Sequence, residues 1–568
     1  MLTLGDDFES SDVENIGSGL AVKAVNWCGH CNLPFYEQLC PCCGSKKAFS
    51  VSDIRPVFPE EQLLLGCIDS LINENEDPLR YTKHTVWCAG NYYIIDGKKS
   101  KYDLKRLSTL SYEKIKQIKV LYDQNVSQID RSVFNENINN FVKTNVDRYN
   151  EITEEAFRYI SNFRNDFSLD EMFVSFSGGK DSTVVSSLVS RALGTNKVIH
   201  IFGDTTLEFP TTISYSRRFI KNPESRGIRV VIARNFEKKF DSLCETIGPP
   251  SRVMRWCCTV FKTGAIQRTI SSVFKDKNRI LSFQGIRHSE SVSRSKYKRE
   301  TESPKISKQV AVAPILYWKD IDVWLYILSS KIDFNDAYKM GYTRVGCWCC
   351  PNNGSWSEFL TKVYNYEKSK QWYDYLIGFA VKIGKPDPEE YIASGGWKAR
   401  QGGYGIDYSK NSIIEFKPCA TEINSFNYVL LKPISLELYE FFKPFGTLNF
   451  DLGNIRLGEV FVLNNRGEII IKLKGRIGTT NLKVSILDPH LANARTMADA
   501  EKKIKCQITK FQMCINCKAC EAVCKFDAIS VRNNKYIINE NKCTHCYQCI
   551  NHYVSGCYMR EVLCIKRN

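Results

Sequence analysis

The chain has 568 residues, a formal net charge of +16, 43% apolar residues and 25% charged ones. That length implies several domains at about 100–200 residues each, and the composition is that of a globular protein. No apolar run is long enough to span a bilayer, and the first residues lack the basic and apolar regions of a signal peptide. A cytoplasmic protein without a membrane partner is therefore expected.

The basic balance allows a nucleotide or nucleic-acid partner without specifying one. Cysteine is the strongest compositional signal, with 24 residues, most of them in tight groups. In a cytoplasmic protein such groups are metal ligands more often than disulfides.

In chain order, residues 1–20 are acidic and polar and read as a disordered N-terminus. Residues 21–50 hold Cys28, Cys31, Cys40 and Cys43, two C-x2-C knuckles with Gly29 and Gly44 at their turns. Four thiolates so spaced suit one tetrahedral zinc, so a zinc-ribbon-like knuckle is expected, with a redox dithiol as the alternative. Residues 51–165 read as a mixed hairpin and helical segment: Val86–Gly97 suggests a hairpin, and 103–163 has apolar residues at helical spacing. The single Cys67 and Cys88 fit buried apolar positions.

Residues 166–400 alternate strands and helices, the pattern of an α/β fold with a central parallel sheet covered by helices on both faces. The apolar run Phe173–Phe176 leads into Ser177-Gly-Gly-Lys-Asp-Ser182, and Thr183 to Leu193 has helical spacing. Two glycines at a strand-to-helix turn let the backbone approach a ligand, and the helix start offers free N–H groups to an anion. Further strands are expected at 198–204, 228–232 and 279–283. Ligands in such sheets bind beyond the carboxyl ends of the strands, which brings the Ser177–Ser182 loop, Asp204 and the turn Gln284–Arg287 toward one pocket.

The Ser-Gly-Gly-Lys-Asp-Ser loop resembles the pyrophosphate loop (PP-loop) of the ATP pyrophosphatase superfamily. In order follow Asp204–Pro210, Arg255-Trp-Cys-Cys258, Gly285–Ser291, Pro314–Asp320 and Gly341–Pro351. With these six motifs residues 170–360 resemble the phosphoadenosine phosphosulfate (PAPS) reductase family in its broad sense. The resemblance implies nucleotide binding by Ser177, Gly178, Gly179, Lys180, Asp181, Ser182, Asp204, Arg287 and Glu290, with Lys180, Asp181 and Arg287 as the catalytic set. An arginine such as Arg287 has donors matched to phosphate or sulfate. The resemblance also implies a central 4Fe–4S cluster on Cys257, Cys258, Cys347 and Cys350, as in adenylylsulfate (APS) reductases. A zinc site is the alternative, since four cysteines serve either metal.

The glycine-rich stretch 395–405 reads as a linker, and 420–495 as a small α+β module. Residues 505–568 resemble a two-cluster 4Fe–4S ferredoxin: Cys514, Cys517, Cys520 and Cys524 form a C-x2-C-x2-C-x3-C run, and Cys543, Cys546 and Cys549 repeat its first half. The resemblance gives Cys514, Cys517, Cys520 and Cys557 to one cluster and Cys543, Cys546, Cys549 and Cys524 to the other, with Cys564 as a substitute for Cys557.

The main functional expectation is an ATP-cleaving sulfurtransferase, releasing AMP and pyrophosphate, that acts on a nucleic acid or a small acceptor. It would use ATP with magnesium, up to three 4Fe–4S clusters, a zinc, and electron and sulfur donors. Magnesium favours carboxylate and phosphate oxygens, and Asp181 and Asp204 are the carboxylates available to it. The alternative is reduction of PAPS or APS to sulfite with electrons from the ferredoxin part. That chemistry uses a cysteine in a Glu-Cys-Gly motif, which the sequence lacks; Cys349, Cys419 and Cys506 are left as unselected candidates. A nucleotide-regulated electron-transfer protein is the third reading.

Overall fold

A computed structural model describes residues 23–72, 76–101, 107, 110–222, 225, 227–303, 308–400, 414–551 and 557. The N-terminal stretch 1–20, residues 401–405 and Cys564 lie outside them.

Three short strands, β1 (Val25–Cys28), β2 (Leu33–Phe35) and β3 (Phe49–Val51), form an antiparallel sheet in the order β2-β1-β3. A second antiparallel sheet follows, from β4 (Arg55–Pro56), β5 (Val86–Ala89), β6 (Tyr92–Ile95) and β7 (Lys98–Lys101). The hairpin expected at 86–97 is β5–β6, turned at Gly90, whose φ of 60° is easily reached by glycine. The helices expected over 103–163 are Tyr112–Asn125, Ser132–Thr144 and Val146–Asn162.

The central sheet runs β10-β9-β8-β11-β13-β12, from β8 (Met172–Phe176), β9 (Ile199–Asp204), β10 (Val230–Arg234), β11 (Ile280–Gln284), β12 (Glu300–Glu302) and β13 (Gln309–Val312). Five strands are parallel, but β12 pairs antiparallel to β13, so the sheet is mixed rather than purely parallel. The three-residue β12 is wholly exposed and ends the sheet, where only one neighbour constrains direction. Helices Lys180–Leu193, Val146–Asn162 and Asp320–Ser330 bury Val184, Leu188, Ile152, Ala156 and Trp324 with Met172, Val174 and Phe283 in one core beneath the loop.

Two helices follow, Ser355–Tyr364 and Tyr366–Lys382, separated because Asn365 leaves the helical region at φ −130°, ψ 49°. The start of the expected linker is anchored: Trp397 and Arg400 are buried, and Arg400 donates to the carbonyl of Pro249 at 2.7 Å.

Beyond it, β14 (Glu415–Pro418), β15 (Ser425–Val429), β16 (Thr447–Asn449), β17 (Glu459–Leu463), β18 (Ile469–Lys474) and β19 (Asn481–Ile486) form an antiparallel sheet in the order β14-β15-β19-β18-β17-β16. Helix Met497–Met513 covers it through Ile504, Ile508 and Phe511. The same core takes in Cys524, Ile529, Ile538 and Ile550, so the last segment folds onto this sheet. There the hairpin of β20 (Ile529–Arg532) and β21 (Lys535–Ile538) turns at Asn533 and Asn534, both with positive φ, as a two-residue hairpin requires.

Candidate functional site: a nucleotide cavity bordered by cysteine groups

The loop between β8 and helix Lys180–Leu193 is held in a narrow space. Gly178 has φ 71°, and a Cβ there would stand 3.0 Å from Thr212 Cγ2. A Cβ on Gly285 would meet the backbone of Asp181 and Ser182 at 2.7–2.9 Å, so only glycine lets the end of β11 lie against the loop. Within the loop the Ser182 hydroxyl donates to Gly179 O at 2.9 Å and accepts from Ser177 N at 3.2 Å. The Lys180 N–H donates to the Tyr338 hydroxyl at 2.9 Å.

The charged side chains form one network. Lys180 Nζ is 3.0 Å from Asp320 and 3.6 Å from Asp181, and it donates to Thr343 O at 3.2 Å. Arg287 donates from Nε to Asp181 at 2.5 Å, from Nη2 to Asp320 at 2.8 Å and from Nη1 to Ser289 at 2.9 Å. Burial alone would raise the Asp181 carboxyl, but Lys180 and Arg287 outweigh it and hold it at about 2. Asp53, from the segment before β4, accepts from Asp320 N at 2.7 Å and Ile321 N at 3.2 Å. Burial, then the Asp320 carboxylate, push its carboxyl up to about 6.

These groups line a cavity of about 310 Å³, within the range of small-molecule sites. Lys180, Asp181, Arg287 and Glu290 border it, joined by Asp53, Arg55, Cys88, Arg294, Asp320 and Arg344. Ser177, Gly178, Gly179 and Ser182 shape the loop behind that wall. Asp204 lies at the end of the neighbouring strand, 3.6 Å from Arg234, outside the lining. Asp53, Arg55 and Cys88 escaped the sequence reading because they come from the segment before β4, from β4 and from β5, far from the glycine loop along the chain. Asp320 was legible as part of a motif but had no partner assigned. Burial pushes the Cys88 thiol up, against the Arg55 guanidinium beside it.

The segment after Thr343 leads from this cavity to the central cysteines. Trp348 N donates to Leu207 O at 2.9 Å, and Cys347 Sγ stands 3.5 Å from the Thr205 hydroxyl. Cys257 and Cys347, both half-buried, and the buried Cys349 share one apolar cluster with Trp256, Val260 and Phe261. The thiols of Cys258, Cys347 and Cys349 stand near that of Cys257, and Cys347 has the Glu208 carboxylate, Lys262 and Cys350 near it.

Cys28, Cys31, Cys40 and Cys43 form a separate group. Their sulfurs lie within 4.8 Å of one another, with Cys28 to Cys43 at 3.5 Å and Cys31 to Cys40 at 4.0 Å. A tetrahedral ion with Zn–S bonds of about 2.3 Å sets its sulfurs about 3.8 Å apart, so the four thiols can hold a metal. The exposed Cys42 is outside this group. Among the described residues no other set lies this close. No helix among them is long and apolar enough to cross a membrane.

With that geometry in hand, residues 171–353 match the family model described as the phosphoadenosine phosphosulfate reductase domain. The chain carries a PAPS/APS-reductase-like domain. Two uncharacterized proteins of Methanocaldococcus jannaschii are similar to it. One is 29% identical over 272 residues, covering 47% of this chain and 61% of the relative. The other is 35% identical over 181 residues, covering 32% and 36%. The chain thus spans less than two thirds of either archaeal relative. The adenosine 5'-phosphosulfate reductase of Staphylococcus epidermidis is 23% identical over 187 residues, covering 32% of this chain and 70% of that protein.

Proposed function

We propose that the protein is an iron–sulfur enzyme of sulfonucleotide metabolism that binds APS or PAPS in the Lys180–Asp181–Arg287 cavity and reduces it to sulfite. The observation that carries this reading is the anion-binding cavity around Lys180 and Arg287, inside a domain like that of PAPS and APS reductases, with the segment that lines it at Thr343 and Arg344 leading on to Cys347. For APS the balance is simple. Two electrons enter, the bond from sulfur to the bridging oxygen breaks, AMP keeps that oxygen, and sulfite leaves.

Within the cavity, Lys180, Arg287, Arg294 and Arg344 supply cations for phosphate and sulfate oxygens, Arg287 with fixed planar donors. Asp181 and Asp320 hold Lys180 and Arg287 in place. Developing charge on the leaving AMP is met by groups already oriented, which is the main source of catalysis in such a step.

Cys257, Cys258, Cys347 and Cys350 supply the four thiols that a 4Fe–4S cluster needs, with Cys257 and Cys347 in apolar surroundings. Two further clusters are assigned to Cys514, Cys517, Cys520 and Cys557, and to Cys524, Cys543, Cys546 and Cys549. Such clusters supply one-electron transfer. The N-terminal group is assigned to a structural zinc.

The intact Ser-Gly-Gly-Lys-Asp-Ser loop favours the second reading, ATP cleavage to AMP and pyrophosphate with sulfur passed to a nucleic acid or small acceptor. One experiment separates the two. Anaerobically purified protein receives labelled APS or PAPS with reductant, or labelled ATP with and without tRNA or DNA. Sulfite from the sulfonucleotide with ATP untouched supports the reductase. AMP and pyrophosphate from ATP, raised by nucleic acid, overturns it in favour of sulfur transfer.

A further inference from the structure

The two cysteine groups of the C-terminal segment stand in different relations to the central domain. Residues 514–527 dock on helix Gly264–Val273 and on the loop after β10. Gln267 Nε2 donates to Cys524 O at 2.8 Å, Arg268 pairs with Glu521 at 2.9 Å, and the Ser271 hydroxyl donates to Asp527 at 2.6 Å. Lys238 Nζ donates to Ile515 O at 3.0 Å, and Lys518 pairs with Glu237. The receiving helix continues without a break from the π-helical turn Cys258–Thr263, so it carries the central cysteine pair at its start. Gly264 permits the close approach, since a Cβ there would stand 3.2 Å from Ala522 Cβ and 2.7 Å from Thr259 O.

At this junction Cys517 and Cys557 pack in the same apolar cluster as Cys257, Cys347 and Cys349, with Met513, Ile515 and Ala519 filling the space between. The thiols of Cys557, Cys520 and Cys514 stand near that of Cys517. Cys557 therefore joins this group despite its unusual distance along the chain from Cys549. The other group packs into a different core. Cys524, Cys543 and Cys549 pack with the core under the β14–β19 sheet, and Cys546 is exposed. Cys520 packs there too, as expected of a residue standing between the groups.

We propose that this docking face is an internal electron conduit with a fixed order: uptake at Cys524, Cys543, Cys546 and Cys549, transfer through Cys514, Cys517, Cys520 and Cys557, and delivery to Cys257, Cys258, Cys347 and Cys350. The inference rests on the iron–sulfur assignment above and not on the identity of the substrate. Each step moves one electron, oxidising the donor group and reducing the acceptor, with no bond made or broken. The source is a one-electron carrier that approaches the exposed Cys546 side. Burying the middle group between apolar surfaces keeps water and adventitious oxidants from it, while the outer group remains reachable.

The test uses the full chain, purified anaerobically, reduced with dithionite and examined by electron paramagnetic resonance. In the unaltered protein the central signal is expected to show magnetic interaction with a neighbouring cluster. Cys517→Ser should remove that interaction and leave a simple central signal. Cys546→Ser should leave it in place while abolishing the interaction between the two C-terminal groups. A double variant, Lys238→Glu with Arg268→Glu, touches no cysteine and should weaken the central interaction at unchanged iron content. An interaction that survives Cys517→Ser but vanishes in Cys546→Ser overturns the order. Iron and sulfide analysis showing no cluster in the C-terminal segment overturns the order and the cluster assignment together.

Discussion

Arg287 donates from Nε to Asp181 Oδ1 at 2.5 Å, joining the end of β11 to the first turn of the helix behind the glycine loop. Arg287 is buried and Asp181 largely so, and Asp320 completes the pairing from a third element. Removing either partner leaves a charge buried without its complement, which costs more than the pair contributes. Arg287→Ala is therefore expected to weaken binding of AMP or APS by more than about tenfold and to lower thermal stability. Calorimetric titration and a melting curve check both.

The Asp181 carboxyl lies at about 2, below its usual value, because Lys180 and Arg287 favour the charged form over the effect of burial. A depressed carboxylate contributes stability above its unfolded value of about 3.9 and loses it as pH falls through the folded value. Between about pH 4 and 2 the wild type should therefore lose stability, on the order of 2 kcal/mol, that Asp181→Asn never had. Denaturant melts across that range measure the difference.

Asp53 behaves in the opposite sense. Its folded value of about 6 exceeds the unfolded one, so its contribution is full below about pH 4 and is lost as pH rises through 6. Protonation also removes a negative charge from the cavity wall. Binding of AMP should tighten severalfold between pH 7.5 and 5.5 in the wild type and vary less in Asp53→Asn, as titrations at the two pH values would reveal.

Gly285→Ala places a Cβ within 3 Å of the Asp181 and Ser182 backbone, which cannot yield as a side-chain end would. The expected cost is about 1–3 kcal/mol, taken as lost stability or as displacement of the loop. Nucleotide affinity should fall with it, and titration beside a melt separates the two effects.

For the N-terminal group, one equivalent of zinc per chain is expected by elemental analysis, lost in Cys40→Ser. Because Cys28 and Cys40 are buried beside Leu33 and Phe35, loss of the ion should open this region to limited proteolysis. An unchanged digestion pattern after metal removal would show the group to be held by packing alone.

The sequence by itself determined the α/β centre, the glycine loop at a strand-to-helix turn, the position of Arg287 after the fourth strand, and the spacing of the N-terminal cysteines. These are local signals: periodicity, turn chemistry and short ligand spacings are written over a few neighbouring residues. It did not show the antiparallel β12, the break at Asn365, or the entry of Asp53, Arg55 and Cys88 into the cavity wall. Nor did it show that Cys517 and Cys557 face the central cysteines while Cys546 faces solvent. Those were decided by packing between segments far apart in the chain, where partners are chosen by burial and charge pairing that no local pattern records.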